Sequence, residues 1–485
     1  YRIFLGDIPF RDYFCPTTPF SYHMLSWWFS LAGESFLAVR LHVTLQAMVL
    51  TALTFLASRR LLGLGLIESS LLTLFEILWS PHFMHGIIWY NNDAAFFAMA
   101  AGLSLMWAWR EEKPLWNLAA GALCALSFWS KQDIGAGAMA GGLASTLLLW
   151  RTAGSPRKAA HVLAFVSGLI LVCGAICFHY WRHGALDDMV FWITKRGLMM
   201  KWEGPLTWTR SLEKAFSPFT TSVDRASKFF VLLMALPIPC SLSRYLVSRD
   251  RIELLGLGAA ILWLSAYYAG LFTHDGQGFT VDLAAFACAL GLVRRPWPAP
   301  SPEPSRARLD AWNLRLVGLV PPRLAAVSFL ALLAVLGARG LRYAKNMGWP
   351  PSEHTHVLRT PRLAGLHIRP EAAAIDLLSG FIEERVPADE GFLILDLSIV
   401  YFTTGRRPVS PLTYFNIGDM QLDDEDRILA SAADPSLRWF FYPGGRERFD
   451  ADPFEGMGRL KTYLGAHFQF DGEAGGYSVL RRISA

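Results

Sequence analysis

The sequence predicts a polytopic α-helical membrane protein that ends in a small external α/β domain. Its 485 residues are 53% hydrophobic, a share too high for an ordinary soluble enzyme of this length. Apolar runs of about 20 residues, the length that crosses a bilayer as a helix, recur through the first two thirds of the chain. Beyond about residue 345 the composition turns soluble and mixes helical with strand periodicity.

About ten membrane helices are predicted from the apolar runs. The two runs on either side of Lys131 are short enough to be broken helices that meet near the membrane surface. The predicted helices lie near 39–58, 64–83, 93–109, 114–130, 133–150, 160–180, 229–247, 253–272, 279–293 and 323–341.

The basic residues predict the orientation of these helices. Lys and Arg cluster in alternate loops, as in 59–60, 110–113 and 151–158, and such loops are cytoplasmic. The net charge of +5 therefore follows membrane topology, and we expect no nucleic-acid partner. The first loop, 1–38, and the long loop of about 181–228 then lie outside. Because the chain starts outside without an initiator Met or a signal sequence, we expect one or more helices upstream.

Two domains follow from the change in composition: a membrane domain over 1–345 and an external domain over 346–485. In the external domain we predict helices at 370–386 and 457–468 and strands at 391–405, 437–443 and 476–482. This domain could bind an acceptor or merely cover the site. Arg406 and Arg407 are its only suggestive charges, and a solvated turn is the safer interpretation.

The opening loop carries two carboxylates and an arginine, Asp7, Arg11 and Asp12, before a predicted amphipathic helix that lies on the membrane surface. A carboxylate held there can act as a general base, because partial desolvation raises its pKa and an adjacent arginine fixes its charge. The alternative is an exposed loop with solvated charges.

Asp93 and Lys131 are polar residues at the external ends of apolar helices. Asp93 starts a helix, where it either caps the helix or faces a site. A buried Lys131 ammonium needs an anionic partner, and a phosphate fits, because the next helix begins there and its N-terminal amides favour an anion. The alternative is a lysine that snorkels to the interface.

The long external loop and one helix mouth supply further basic candidates. Lys195, Arg196 and Lys201 alternate with tryptophans, a pattern that suits an anionic lipid headgroup or a sugar, although surface-lying amphipathic loops look alike. His274 beside Asp275 could bind a phosphate or a metal, although the isolated pair has weak specificity and a satisfied polar turn is the favoured interpretation.

Taken in order, these motifs resemble the C-type glycosyltransferase (GT-C) superfamily, and specifically its bacterial branch near protein O-mannosyltransferases and aminoarabinose transferases. "GDIPFRDYFCPTTPFSYH" looks like the first external loop of that branch, "NNDAAFFAMAAGLSLMWAW" is similar to its second acidic site, and "ALSFWSKQDIG" is similar to its lysine segment. The sequence departs from the pattern in lacking the acidic pair of protein O-mannosyltransferases, in having Thr18 before Pro19, and in having Gln132 after the lysine.

The resemblance implies transfer of a sugar from a polyprenyl-phosphate donor to a hydroxyl acceptor at the external face of a bacterial plasma membrane. Asp12 matches the catalytic carboxylate with Asp7 as its rival, Asp93 matches the second acidic residue, and Lys131 matches the group that holds the donor phosphate. The sequence requires no cofactor. A divalent metal is possible, in which case Asp93 and His274 are the candidate ligands.

Two other functions remain open from the sequence. A lipid or solute transporter or flippase would place charges near the bilayer midplane and show internal repeats, whereas here the charges gather at one surface. A lipid-linked glycan polymerase or ligase would also have long basic external loops. In every case the partners include membrane lipids.

Overall fold

The computed structural model describes residues 1–60 except 14, 16 and 17, parts of 65–74, 90–152, 158–196, four residues within 258–265, 354–411 except 396, 422–444 and 458–483. The predicted helices near 229–247, 279–293 and 323–341 lie outside these residues, as do most of those near 64–83 and 253–272.

The membrane domain is a bundle of long helices at the positions that the apolar runs predict. Runs near 39–58, 93–109, 114–130, 133–150 and 160–180 are all helical. Two stretches within the described residues, Phe36–Arg60 and Ala159–Arg182, are long and apolar enough to cross a membrane. The helices are α1 (Phe20–Ala32), α2 (Phe36–Arg60), α3 (Tyr90–Arg110), α4 (Pro114–Ser130), α5 (Gln132–Thr152), α6 (Lys158–Arg182) and α7 (Leu186–Val190), followed by a π-helical turn (Phe191–Arg196).

Helix α4 lies at the centre of the bundle and packs against α3, α5 and α6. Its contact with α6 is made by backbone, because a Cβ atom on Gly121 would overlap the Phe165 carbonyl, and one on Gly168 would overlap the Leu118 carbonyl. Small residues allow helices in a membrane to approach this closely. The α4–α6 pair is therefore a tight seam.

Helices α4 and α5 meet at a single residue, Lys131, which has an extended backbone between them. The amide of Lys131 still donates to the Ser127 carbonyl, and the amide of Gly135 donates to the Lys131 carbonyl. A side chain on Gly135 would overlap the backbone of Phe128. The expected break between two short helices is thus present, and it holds Lys131 at their junction.

Helix α1 packs against the start of α2 at one end and against the end of α4 at the other. Trp28 Nε1 donates to the Ala38 carbonyl at 2.6 Å, and its ring lies 5.6 Å from that of His42. At the other end of α1, Thr18 Oγ1 donates to the Phe128 carbonyl at 2.9 Å. The loop before α1 is therefore fixed against the end of α4.

The C-terminal domain, which we call the external domain after its predicted location, is a mixed sheet with helices on both faces. Its elements are β1 (His356–Val357), β2 (His367–Ile368), α8 (Ala374–Arg385), β3 (Gly391–Ile394), α9 (Ile399–Thr404), α10 (Leu422–Ala433), β4 (Leu437–Pro443), α11 (Gly458–His467), β5 (Phe468–Ala474) and β6 (Tyr477–Arg482). The strand order is β3-β4-β6-β5, with β3 and β4 parallel and the other pairs antiparallel. Alternate residues of the strands pack against α10 and α11 on one face and against α8 and α9 on the other.

The predicted strand over 391–405 is only partly correct. The strand ends at Ile394, and Ile399–Thr404 forms the short helix α9, which ends at Gly405 in the left-handed conformation. The helix is stabilised by Tyr401, whose hydroxyl donates to the Phe392 carbonyl and accepts from the Ile394 amide. These contacts outweigh the strand propensity of the sequence "IVYFTT".

Candidate functional site

Buried polar side chains gather where the first turn of α3 meets the last turn of α4. Ser127 Oγ donates to the Ala94 carbonyl at 2.7 Å and so joins the two turns. We call this group the polar cluster, and it comprises Ser21, Asn91, Asn92, Asp93, Ser127, Ser130 and Lys131, all of them buried. Such a density of buried polar groups at one end of an apolar bundle marks a site rather than a core.

Lys131 is buried, with its side chain 2% exposed, so the snorkelling interpretation is wrong. Its Nζ lies 3.5 Å from Asp133 Oδ2 and 5.7 Å from the centre of the Tyr90 ring. Asp133 is the anionic partner that the charge requires, and this pairing was not predicted. Its position two residues after the lysine, in the first turn of α5, was the available signal.

Asp93 lies in the first turn of α3 and is 1% exposed. Gln46 Nε2 donates to Asp93 Oδ1 at 2.8 Å, and the buried Ser21 hydroxyl lies beside the same carboxylate, although no well-formed hydrogen bond reaches Oδ2 within the described part of the chain. The side-chain amides of Asn91 and Asn92 also make no hydrogen bond there. Because buried polar atoms nearly always have partners, these groups have the capacity to bind a polar ligand.

Asp12 is partly exposed, and Arg11 donates two hydrogen bonds of 2.8 Å to its carboxylate, from Nε to Oδ1 and from Nη2 to Oδ2. The Ile8 amide donates to Oδ2 at 2.7 Å. The expected rise in the pKa of Asp12 is wrong: hydrogen bonding from Arg11 lowers it and outweighs desolvation of a side chain that is 27% exposed. The carboxylate is therefore ionised at neutral pH.

Asp7 is fully buried between two arginines. Arg2 Nε donates to Asp7 Oδ2 at 2.6 Å, and Nη2 of Arg407, from the external domain, pairs with Oδ1. The interpretation of Arg406 and Arg407 as a solvated turn is wrong, because Arg406 donates to the carbonyls of Val386 and Pro387 within its own domain. A pairing across 400 residues leaves no local sequence signal.

The loop that carries Asp12 packs against the ends of α4 and α6. Phe10 and Cys15 share an apolar cluster with Trp129 and Tyr180, and Trp129 lies two residues before Lys131. No hydrogen bond or ion pair joins Asp12 to Lys131 or Asp93 in the described residues. The polar cluster is thus buried, whereas Asp12 is partly exposed in a loop that packs against the last turn of α4.

The remaining candidates are only partly described. Lys195 and Arg196 lie in the π-helical turn, but their side chains, like Lys201 and His274 altogether, lie outside what is described. Trp192 of the same turn contacts Arg427 of the external domain, whose guanidinium lies 4.9 Å from the ring centre. Within the described ranges, no group of three or more His, Cys, Asp or Glu residues is arranged to hold a metal ion.

No protein-family model and no curated protein sequence matches the chain. ArnT from Cupriavidus metallidurans bound to undecaprenyl phosphate is similar in structure, with a TM-score of 0.50 and 12% identity, covering 97% of this chain and 88% of that chain. Its apo state gives a TM-score of 0.49 at 14% identity over the same shares. The apo oligosaccharyltransferase of Archaeoglobus fulgidus gives 0.46 at 12% identity, covering 90% of this chain and 62% of that chain.

The likeness to ArnT covers nearly the whole chain, so it includes both the helical bundle and the external domain. The expectation drawn from the sequence is therefore supported at the level of the fold: over 97% of its length the chain is similar in architecture to ArnT.

Proposed function

We propose that the protein transfers a sugar from a polyprenyl-phosphate donor to a hydroxyl acceptor at the external face of a bacterial plasma membrane. The observation that carries the proposal is the polar cluster at one end of a helical bundle, in which a buried lysine lies close to Asn91 and Asn92, whose side-chain amides make no hydrogen bond among the described residues. Support for the donor class comes from ArnT, which shares the fold and binds undecaprenyl phosphate.

Lys131 holds the donor phosphate in this proposal. A phosphodiester carries one negative charge, and the phosphate gains a second when the sugar leaves. A fixed ammonium in a buried site stabilises that developing charge far better than water does. Asp133 balances the lysine while the site is empty, and its separation of 3.5 Å is long enough for a phosphate oxygen to compete.

Asp12 acts as the general base. It accepts the proton of the acceptor hydroxyl, the hydroxyl oxygen bonds to the anomeric carbon, and the bond from that carbon to the phosphate oxygen breaks on the opposite side, so the centre inverts. This geometry needs a base and a cation on opposite sides of the sugar. The partly exposed Asp12 can meet an acceptor that arrives from outside, and the buried Lys131 can hold the phosphate.

Asp93 positions the sugar between these two groups. Its Oδ2, which makes no well-formed hydrogen bond among the described residues, accepts a hydrogen bond from a sugar hydroxyl, while Gln46 donates to Oδ1. The amides of Asn91 and Asn92 offer further donors and acceptors beside it. A site built to bond hydroxyl groups strongly rejects analogues that lack them, so the cluster gives specificity as well as affinity.

The test is transfer of radiolabelled sugar from polyprenyl-phosphate donors to a membrane extract by the purified protein. Lys131→Met is expected to lose about 10²- to 10³-fold in kcat, because the leaving phosphate loses its counter-charge. Lys113→Met is the matched control, since Lys113 precedes the first residue of the same helix and is exposed. A wild-type protein that transfers nothing yet moves lipid across vesicles would establish the transporter reading instead.

A further inference from the structure

We infer that Arg407 of the external domain is a positioning residue for Asp12, acting through Asp7 and Arg2. The inference rests on the proposed function, because it concerns the loop that carries the proposed base. The inference gives the external domain a part in the reaction itself. This role differs from the two considered above, in which the domain binds an acceptor or covers the site. We call Arg2, Asp7 and Arg407 the arginine clamp.

Arg2 is the hub of the clamp. Its Nε donates to Asp7, its Nη1 donates to the Ser410 carbonyl at 2.6 Å, and its Nη2 donates to the Asp12 carbonyl at 3.1 Å. One planar guanidinium thus ties the backbone of Asp12 to the backbone of the external domain. The guanidinium also lies 4.7 Å from the centre of the Tyr13 ring, which fixes its plane.

Asp7 makes the clamp dependent on Arg407. Two arginines pair with the carboxylate of Asp7, whose side chain is 0% exposed. Removing either arginine therefore leaves one Asp7 oxygen buried without its ionic partner. Arg407 itself is 60% exposed and reaches inward only with its guanidinium. Its role is therefore to orient Asp7, which orients Arg2, which holds Asp12.

Between Asp7 and Asp12 the loop is also held by Phe10, which packs against Trp129 and Tyr180. The Asp12 amide donates to the Ile8 carbonyl at 2.9 Å, and the Asp12 carboxylate accepts from the Ile8 amide, so these two residues move together. The external domain keeps a separate anchor, because Arg362 pairs with Glu34 at 2.6 Å. Removing Arg407 should therefore loosen the loop without releasing the domain.

The experiment combines sugar transfer with hydrogen exchange of the full-length protein. For Arg407→Ala we expect the amides of Ile8 and Asp12 to exchange about tenfold faster and kcat to fall about tenfold, with little change in KM for the donor. Arg407→Lys should recover part of both effects, because an ammonium can still pair with Asp7. Arg438→Ala, an exposed arginine of the same domain, should change neither.

Three results would overturn the inference. One is wild-type exchange at Ile8 and Asp12 in Arg407→Ala. A second is faster exchange with unchanged kcat. The third is the same loosening of the loop in Arg406→Ala, since Arg406 donates among the described residues only to carbonyls of its own domain, and the loop would then follow domain stability. If the wild type transfers no sugar, the proposed function fails, and the exchange data alone still decide whether Arg407 fixes the loop.

Discussion

Asp7 in the opening loop and Asp93 in the bundle are equally buried, at 1% exposure, yet their surroundings are opposite. Two guanidinium groups neutralise Asp7 and occupy both of its oxygens. Asp93 accepts a hydrogen bond from the neutral Gln46 amide, the buried Ser21 hydroxyl lies beside it, and no cation pairs with it in the described region. Burial alone therefore does not distinguish the two carboxylates. Their partners do, because the fold neutralises the charge of Asp7 and leaves Asp93 with bonding capacity for the ligand that we propose.

Asp7→Asn tests the structural half of this comparison and should have the largest effect. The substitution removes the charge between two arginines and leaves them facing each other, which is expected to cost about 3–5 kcal/mol in the free energy of unfolding. Denaturant unfolding of the purified protein measures it, with the exposed Asp188→Asn as the control. A loss below about 0.5 kcal/mol, typical of a surface change, would refute the structural role.

Asp93→Asn tests the other half. Because asparagine has the same shape and Asp93 has no ionic partner among the described residues, we expect little change in stability but a fall of about 10²-fold in kcat/KM for sugar transfer. The same radiolabel assay measures the rate, and denaturant unfolding checks the fold. Transfer at more than half the wild-type rate would mean that the free oxygen has no part in the reaction.

Arg11→Met has the smallest expected effect and concerns Asp12, which lies between the two extremes. Arg11 holds the pKa of Asp12 below its usual 3.8, so the ionised base persists to lower pH than an ordinary aspartate would. Without Arg11 the pKa of Asp12 rises. The acid limb of kcat/KM should therefore move to higher pH, by less than about one pH unit. Rates at neutral pH should hardly change.

A pH–rate profile between about pH 3 and pH 7 measures this shift. Lys113→Met is a suitable control, because it also removes an exposed cation but lies at the other end of α4. An acid limb at the same pH in wild type and Arg11→Met would show that Asp12 is not the group whose ionisation limits transfer.

Local patterns predicted much of the fold. Hydropathy gave the bounds of α4, and strand β4 matches 437–443, because both elements are recorded in short-range periodicity. Helix α9 was missed, because "IVYFTT" has the composition of a strand and becomes helical only through contacts of Tyr401 with β3. Helix α10 and strand β5 drew no prediction, although the run of acidic residues that starts α10 is a helix signal.

The sequence was enough to predict which residues belong to the site, but not which partners they have. The sequence singled out Asp7, Asp12, Asp93 and Lys131 because charges are costly beside apolar helices. It could not show which of them the fold satisfies, since the partners come from distant segments: Arg407 for Asp7 and Gln46 for Asp93. The distinction between a structural and a functional carboxylate lies in those long-range contacts.

The glycine seam between α4 and α6 joins the two helices that support Lys131 and the loop of Asp12. Lys131 follows the last residue of α4, and the loop of Asp12 rests on the end of α6, where Arg11 Nη1 donates to the His183 carbonyl at 3.3 Å. At Gly121 and Gly168, far along both helices from Lys131 and His183, the two backbones are in direct contact. We therefore expect a larger residue at either glycine to change the separation of the proposed base from the proposed phosphate site, although neither glycine lies near them.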